Sequence, residues 1–132
     1  MAGSKTDVGE IEVLKMMTGQ ALAITLPITP YIALFTVAPT DAGGGTEVSG
    51  SGYARQSSAG KWAAPAAGAT ALNANVDFPT VTGSSYTVVA IACLDASSGG
   101  NMLWWADAGS VLVAVGNFYR LPATTGITFT ES

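Results

Sequence analysis

The stretch Tyr31 to Val37, read YIALFTV, most constrains what this chain can fold into. Successive side chains of a strand point to opposite faces, which sets Ile32 and Leu34 on one side and Tyr31, Ala33, Phe35 and Val37 on the other. Both sides are apolar, so this strand must be covered on both. Pro39 then removes a backbone donor and ends ladder pairing, while Thr40, Asp41 and the run Gly43 to Gly45 carry turn chemistry. The chain returns through Thr46 to Gly52, which has too few large apolar groups for a core of its own, and reaches Tyr53-Ala54-Arg55-Gln56.

Arg55 is one of only five basic residues. Its planar fork of donors suits a bidentate carboxylate pair, the strongest bond open to so uncharged a segment, with Glu47 or Asp41 as partner. Glu47, Tyr53 and Arg55 are therefore the candidate clamp of this loop.

Tyr86 to Leu94 is a second strand that is apolar on both faces. Between the two, Ser57 to Ala71 reads as one short strand and an irregular segment, in which Trp62 is a core plug or a subunit contact. Thr70 to Phe78 alternates, with Leu72, Ala74, Val76 and Phe78 facing in and Asn73, Asn75 and Asp77 facing out. Asp95 to Asn101 is a hairpin-type loop that leads into Met102 to Ala106. Val111, Val113 and Val115 share a face, Gly116-Asn117 breaks that run, and Gly126 to Thr130 gives a last strand. About seven or eight strands with regular turn signals predict an all-β fold, an antiparallel β-sandwich of jelly-roll-like kind.

One short N-terminal α-helix precedes it, over Asp7 to Thr18. Thr6 or Asp7 caps it, Glu10 follows Asp7 at capping-box spacing, and Gly19 supplies the stop. Val8, Ile11, Leu14 and Met17 recur along one side, and Val13 and Met16 make the helix apolar beyond that stripe. So short a helix is marginal in water unless it packs. It either lids the sandwich or docks on another subunit. Residues 20–30, with Pro27 and Pro30, form an extended connection. The organisation read from the sequence is thus a helix and arm over residues 1–30 and a sandwich domain over 31–132. Adjacent Trp104 and Trp105 point to opposite faces, so one fills the core while the other meets a loop, the helix or a partner. Ile11, Leu14, Trp104 and Trp105 are the candidate interface residues.

Charged residues make up 11% of the chain, against about a quarter in ordinary domains, which fits a protein whose surface is taken up by neighbours. The net charge of −4 and the absence of a basic cluster argue against nucleic acid as a partner. No run of about 18 apolar residues offers a membrane span, and the first residues lack the pattern of a secretory signal. Synthesis in a cytoplasm followed by assembly is the expectation.

The chain has no histidine, which excludes His-activated nucleophiles and His-type zinc sites. Cys93, the single cysteine, reads as a small buried hydrophobe without a basic neighbour. Asp41, Glu47, Asp77, Asp95 and Asp107 are dispersed and read as turn and edge residues, or as a carboxylate pair or calcium site if the fold gathers two of them. The Gly43 to Gly45 run lacks the GK[ST] ending of a phosphate loop. No catalytic residue, metal ligand or cofactor site is predicted.

The segments YIALFT, GTEVSGSGYARQ, ANVDFPTVTG, DASSGGNMLWWADA and LPATTGITFT together resemble a family of small tailed-bacteriophage virion proteins, described as tail fibre, head fibre or capsid decoration proteins. The likeness runs from Tyr31 to Thr130, and the strand at Tyr86 to Asp95 departs from it. The resemblance implies a non-enzymatic structural component of the virion, assembled in the host cytoplasm. It implies a capsid decoration (cement) protein first, and a tail or neck fibre or adhesin contacting the host surface as the alternative. As an adhesin it would use aromatics such as Trp62, Trp105 or Tyr53. The implied partners are copies of itself, as a trimer, and the major capsid protein or other virion subunits. A third reading is a cytoplasmic β-sandwich enzyme or carrier.

Overall fold

The two strands that are apolar on both faces pair with each other at the centre of the fold. In the computed structural model, which describes residues 1–123 and 128–130, the elements run in order: β1 (Ala2–Lys5), α1 (Asp7–Met17), β2 (Tyr31–Val37), β3 (Thr46–Glu47), β4 (Gln56–Ser57), β5 (Ala69–Ala71), β6 (Val76–Asp77), β7 (Tyr86–Leu94), β8 (Met102–Val113), β9 (Arg120–Leu121) and β10 (Thr128–Thr130). The main sheet has the order β3-β2-β7-β8-β1-β10-β5, with β4 also paired to β2, and β6 and β9 form a small second sheet. Pairing is antiparallel except where β1 runs parallel to β10. The predicted all-β, antiparallel fold with one short N-terminal helix is what the chain adopts.

Strand alternation divides the apolar residues into two clusters. Ile32 and Leu34 of β2 join Val88, Ile91 and Cys93 of β7 in the main core, which the small sheet closes with Val76, Phe78, Tyr119 and Leu121. Ala33 and Phe35 turn the other way, onto Ala90, Ala92 and Leu94, with Met102 and Trp105 packed at the margin. Both faces of β2 are thereby covered. Three ring contacts knit the main core: Trp62 meets Trp104 edge-on at 5.8 Å between centroids, Tyr53 stacks on Phe78 at 6.2 Å, and Phe78 meets Tyr119 at 6.0 Å.

Several details differ from the sequence reading. Ala2–Lys5, assigned there to the helix and arm, is a strand between β8 and β10. Burial alternates from Leu72 to Phe78 as predicted, but the strand breaks after Ala71, because β5 belongs to the main sheet and β6 to the small one. A chain that changes sheets turns a corner there. The run Met102 to Val113 is one strand. It carries a bulge where a two-residue step on β7, Val88 to Ala90, faces a four-residue step on β8, Asp107 to Val111. Gly109 supplies the left-handed backbone in the bulge, at φ 76°, and donates its N–H to Asp107 Oδ1 at 2.7 Å. Of Val111, Val113 and Val115, only Val113 is buried. Gly126 and Ile127 of the predicted last strand lie outside the described residues.

Thr6 caps α1. Its Oγ1 accepts from Gly9 N at 3.1 Å and donates to Met102 O at 2.5 Å, while Thr6 N donates to Leu103 O at 3.0 Å. With Thr6 as the cap, the third helical position is Gly9 and not Glu10, so the capping box predicted from Asp7 and Glu10 does not form.

Candidate functional site

The Gly-rich loop that follows β2 is fastened by one carboxylate. Arg55 Nε and Nη2 donate to Glu47 Oε1 and Oε2, each at 2.8 Å, a bidentate pair. Arg55 Nη1 reaches across to the carbonyls of Ala96 at 2.9 Å and Gly99 at 2.8 Å, which ties the loop before β8 into the same clamp. Tyr53 OH donates to Glu47 Oε1 at 2.8 Å and accepts from Leu34 N at 3.0 Å. The structure thus brings Glu47, Tyr53 and Arg55 together. Asp41, the other partner the sequence left open for Arg55, goes elsewhere.

Burial pushes the Glu47 carboxyl up, but the hydrogen bonds from Arg55 and Tyr53 and the Arg55 charge outweigh it and leave Glu47 below its ordinary range. Burial raises the Tyr53 hydroxyl well above its ordinary value. The clamp is therefore a charged pair plus a neutral phenol, with every participating group hydrogen-bonded. That is the signature of a structural tie, since a catalytic acid or base needs a proton it can exchange near working pH.

The candidate interface residues separate. Trp104 is buried in the chain's own main core against Trp62. Trp105 is half-buried on the other face, and its Nε1 donates to Asp41 Oδ1 at 3.2 Å, while Asp41 O accepts from Asp7 N at 2.8 Å. One tryptophan fills the core and its neighbour meets a loop that also holds the start of α1. Ile11 and Leu14 stand in solvent.

The buried positions of α1 are Gly9 and Glu12, with Val13 half-buried beside them over a cleft shared with Ile24 and Leu103. Glu12 accepts from Lys15 Nζ at 2.9 Å, Ala23 N at 2.8 Å and Ile24 N at 3.3 Å, which straps the extended connection along the helix. Those bonds hold its carboxyl below the usual range, led by the one from Lys15. The stripe Val8, Ile11, Leu14 and Met17 points outward, with Leu14 61% and Met17 73% exposed.

Beyond the end of β8 lies a cluster that no sequence expectation covered. There Phe118, 46% exposed, carries the Arg120 guanidinium 5.5 Å from its ring centroid, and Arg120 forms a bidentate pair with Asp77 at 2.7 and 2.9 Å. The alternation in Phe118-Tyr119-Arg120-Leu121 was the available signal.

Burial pushes the Cys93 thiol up to about 12, with Asp95 adding to the effect, so its thiolate is not within reach. Among the described residues no group of three or more His, Cys, Asp or Glu side chains is arranged to hold a metal ion, and no helix is long and apolar enough to cross a membrane.

Residues 4–127 match the family described as Podophage GP4 fiber I protein gp80, and the chain belongs to that family. It is a structural component of a bacteriophage virion, of a family described as a fibre protein. No match is found among curated proteins.

Proposed function

With membership of a podophage fibre family as the premise, we propose that this protein is a non-enzymatic fibre subunit that assembles with copies of itself through the outward face of α1. One observation carries the reading. A surface helix of a lone domain buries its apolar stripe and shows its polar face to water. Here the helix docks by a glycine and a carboxylate and sets Val8, Ile11, Leu14 and Met17 outward. Full burial of each such side chain is worth about 1.5–3 kcal/mol, so a second copy that covers the row supplies the energy a short helix lacks.

The nearest charged neighbours do not obstruct the row. Lys15 is turned back to Glu12, and Asp7 and Glu10 lie in the first turn, where negative charge suits the helix dipole. A trimer is the stoichiometry implied by the resemblance to phage fibre and decoration proteins. The cement reading has only that resemblance behind it, whereas the family description speaks of a fibre.

Sedimentation velocity of the purified chain tests the assembly. The expected result is a species larger than the 13.3 kDa protomer, which Leu14→Glu converts to the protomer. A wild-type chain that sediments as a protomer at tens of micromolar, or a Leu14→Glu variant that keeps the larger species, overturns the reading.

A further inference from the structure

The side of α1 opposite its exposed row does not close on the body of the protein. Between the helix, the connection that follows it and the start of β8 lies a cleft of about 240 Å³, with Val13 and Met16 on the helix side, Leu22, Ile24 and Leu26 on the connection side and Leu103 on the sheet side. Met16 and Leu26 are each more than half exposed, so the apolar lining runs out to solvent. The cleft is smaller than the usual small-molecule site of about 300–1,000 Å³, and such sites also need convergent polar groups. Its carboxylate is already engaged, because Glu12 spends its oxygens on Lys15, Ala23 N and Ile24 N. An apolar cavity of about 150 Å³ holds a benzene-sized group, so this one has the size of an aliphatic side chain or two.

We propose that this cleft receives Ile11 and Leu14 of a second copy of the chain, so that the helical row of one subunit seats in the cleft of another and rows do not pack on rows. The inference rests on the assembly reading and adds to it the surface on which the row lands. Row and cleft lie on opposite sides of one helix, which lets a subunit give its row to one neighbour and take the row of another. That is a contact between two unlike surfaces.

Area and charge support that occupant. At about 60–120 Å² for each fully buried aliphatic side chain, the four residues of the row offer at most about 500 Å². A stable interface buries about 800 Å² on each partner, so the row needs a second apolar surface to meet, and the cleft continues it around the helix. Rows run parallel along a common axis would gather Asp7 and Glu10 of every copy at one end, where like charges repel. Seating the row in the cleft instead brings acid to base. Glu10 lies four residues before Leu14 on the same face of the helix, and Lys5 lines the cleft.

Sedimentation velocity of the full chain, of Leu14→Glu, of Leu26→Glu and of an equimolar mixture of the two variants tests the pairing. Leu26 is exposed and lies on the connection, outside the row, so its replacement leaves the row intact; Met16→Glu takes its place if Leu26→Glu alters the circular dichroism. The expected result is that Leu26→Glu weakens association at least about tenfold, as Leu14→Glu does. The mixture should recover a two-copy species, because the Leu26→Glu chain still carries a sound row and the Leu14→Glu chain a sound cleft. A cleft variant that keeps the wild-type size, or a mixture that stays protomeric, overturns the proposal. If Leu14→Glu dissociates the oligomer while the cleft variant does not, the cleft inference falls and the assembly reading stands. If the wild-type chain is itself a protomer, the assembly reading falls and takes this inference with it.

Discussion

Gly9 lies so close to the main chain of Leu103 that a Cβ built on it would fall well inside van der Waals contact with the Leu103 carbonyl oxygen. This contact fixes which way α1 faces. The helix comes nearest to β8 where it has no side chain, and Val8, Ile11, Leu14 and Met17 are left pointing away. Alanine in place of glycine gains about 1 kcal/mol of helix propensity, but the atom it meets is backbone and cannot rotate aside. Gly9→Ala is expected to lift α1 from the sheet and cost about 1–3 kcal/mol net. Hydrogen exchange should show protection lost in α1 and kept in β2 and β7.

The hydroxyl of Tyr53 serves two groups at once, Glu47 Oε1 and the backbone N–H of fully buried Leu34. Tyr53→Phe keeps the ring on Phe78 and removes both bonds. It should cost about 1–3 kcal/mol, the price of an unsatisfied buried donor, read as a lower urea midpoint with an unchanged slope.

The paired tryptophans should differ in the same assay. Trp104 is buried against Trp62 in the main core, and Trp104→Ala is expected to cost about 3–5 kcal/mol. Trp105 is half-buried beside a smaller cluster, so Trp105→Ala should cost clearly less.

Acid should loosen the clamp. Glu47 has a folded pKa below its ordinary 4.5, so its contribution to stability is present above that value and lost as the pH falls through the lower folded one. Asp77 and Glu12 are lowered as well, through Arg120 and Lys15, and act in the same direction. Thermal melts should be flat in their dependence on these groups between pH about 5 and 7 and decline below about 4. Glu47→Gln should flatten that acid limb while lowering stability at neutral pH.

The two central strands were legible to the residue, because a seven- or nine-residue apolar run with both faces filled has no stable place except between two covering layers. The clamp was legible for a related reason. A chain so poor in charge leaves Arg55 few carboxylates within reach, and Glu47 is the one that register brings opposite Phe35 on β2. Other parts were not legible. Ala2–Lys5 reads AGSK and has no strand signal of its own; it becomes a strand because β8 offers it an open ladder. The direction of α1 was carried by Gly9 and Glu12, three residues apart on the side opposite the apolar stripe. A glycine in a helix declares its purpose only when the backbone it approaches is known. Phe118 precedes the two-residue strand β9 and Arg120 opens it, so the short alternation from Phe118 to Leu121 was their one signal, and Arg120's partner emerges only with Asp77 opposite it in the register.

Cryo-electron microscopy of the intact virion tests the central claim most directly, by locating this subunit and the chain against its helix. The account predicts density for the fold in a fibre, with Ile11 and Leu14 of each copy covered by another copy. Density spread over the capsid shell, or a fibre in which that helix face meets only solvent, would contradict it.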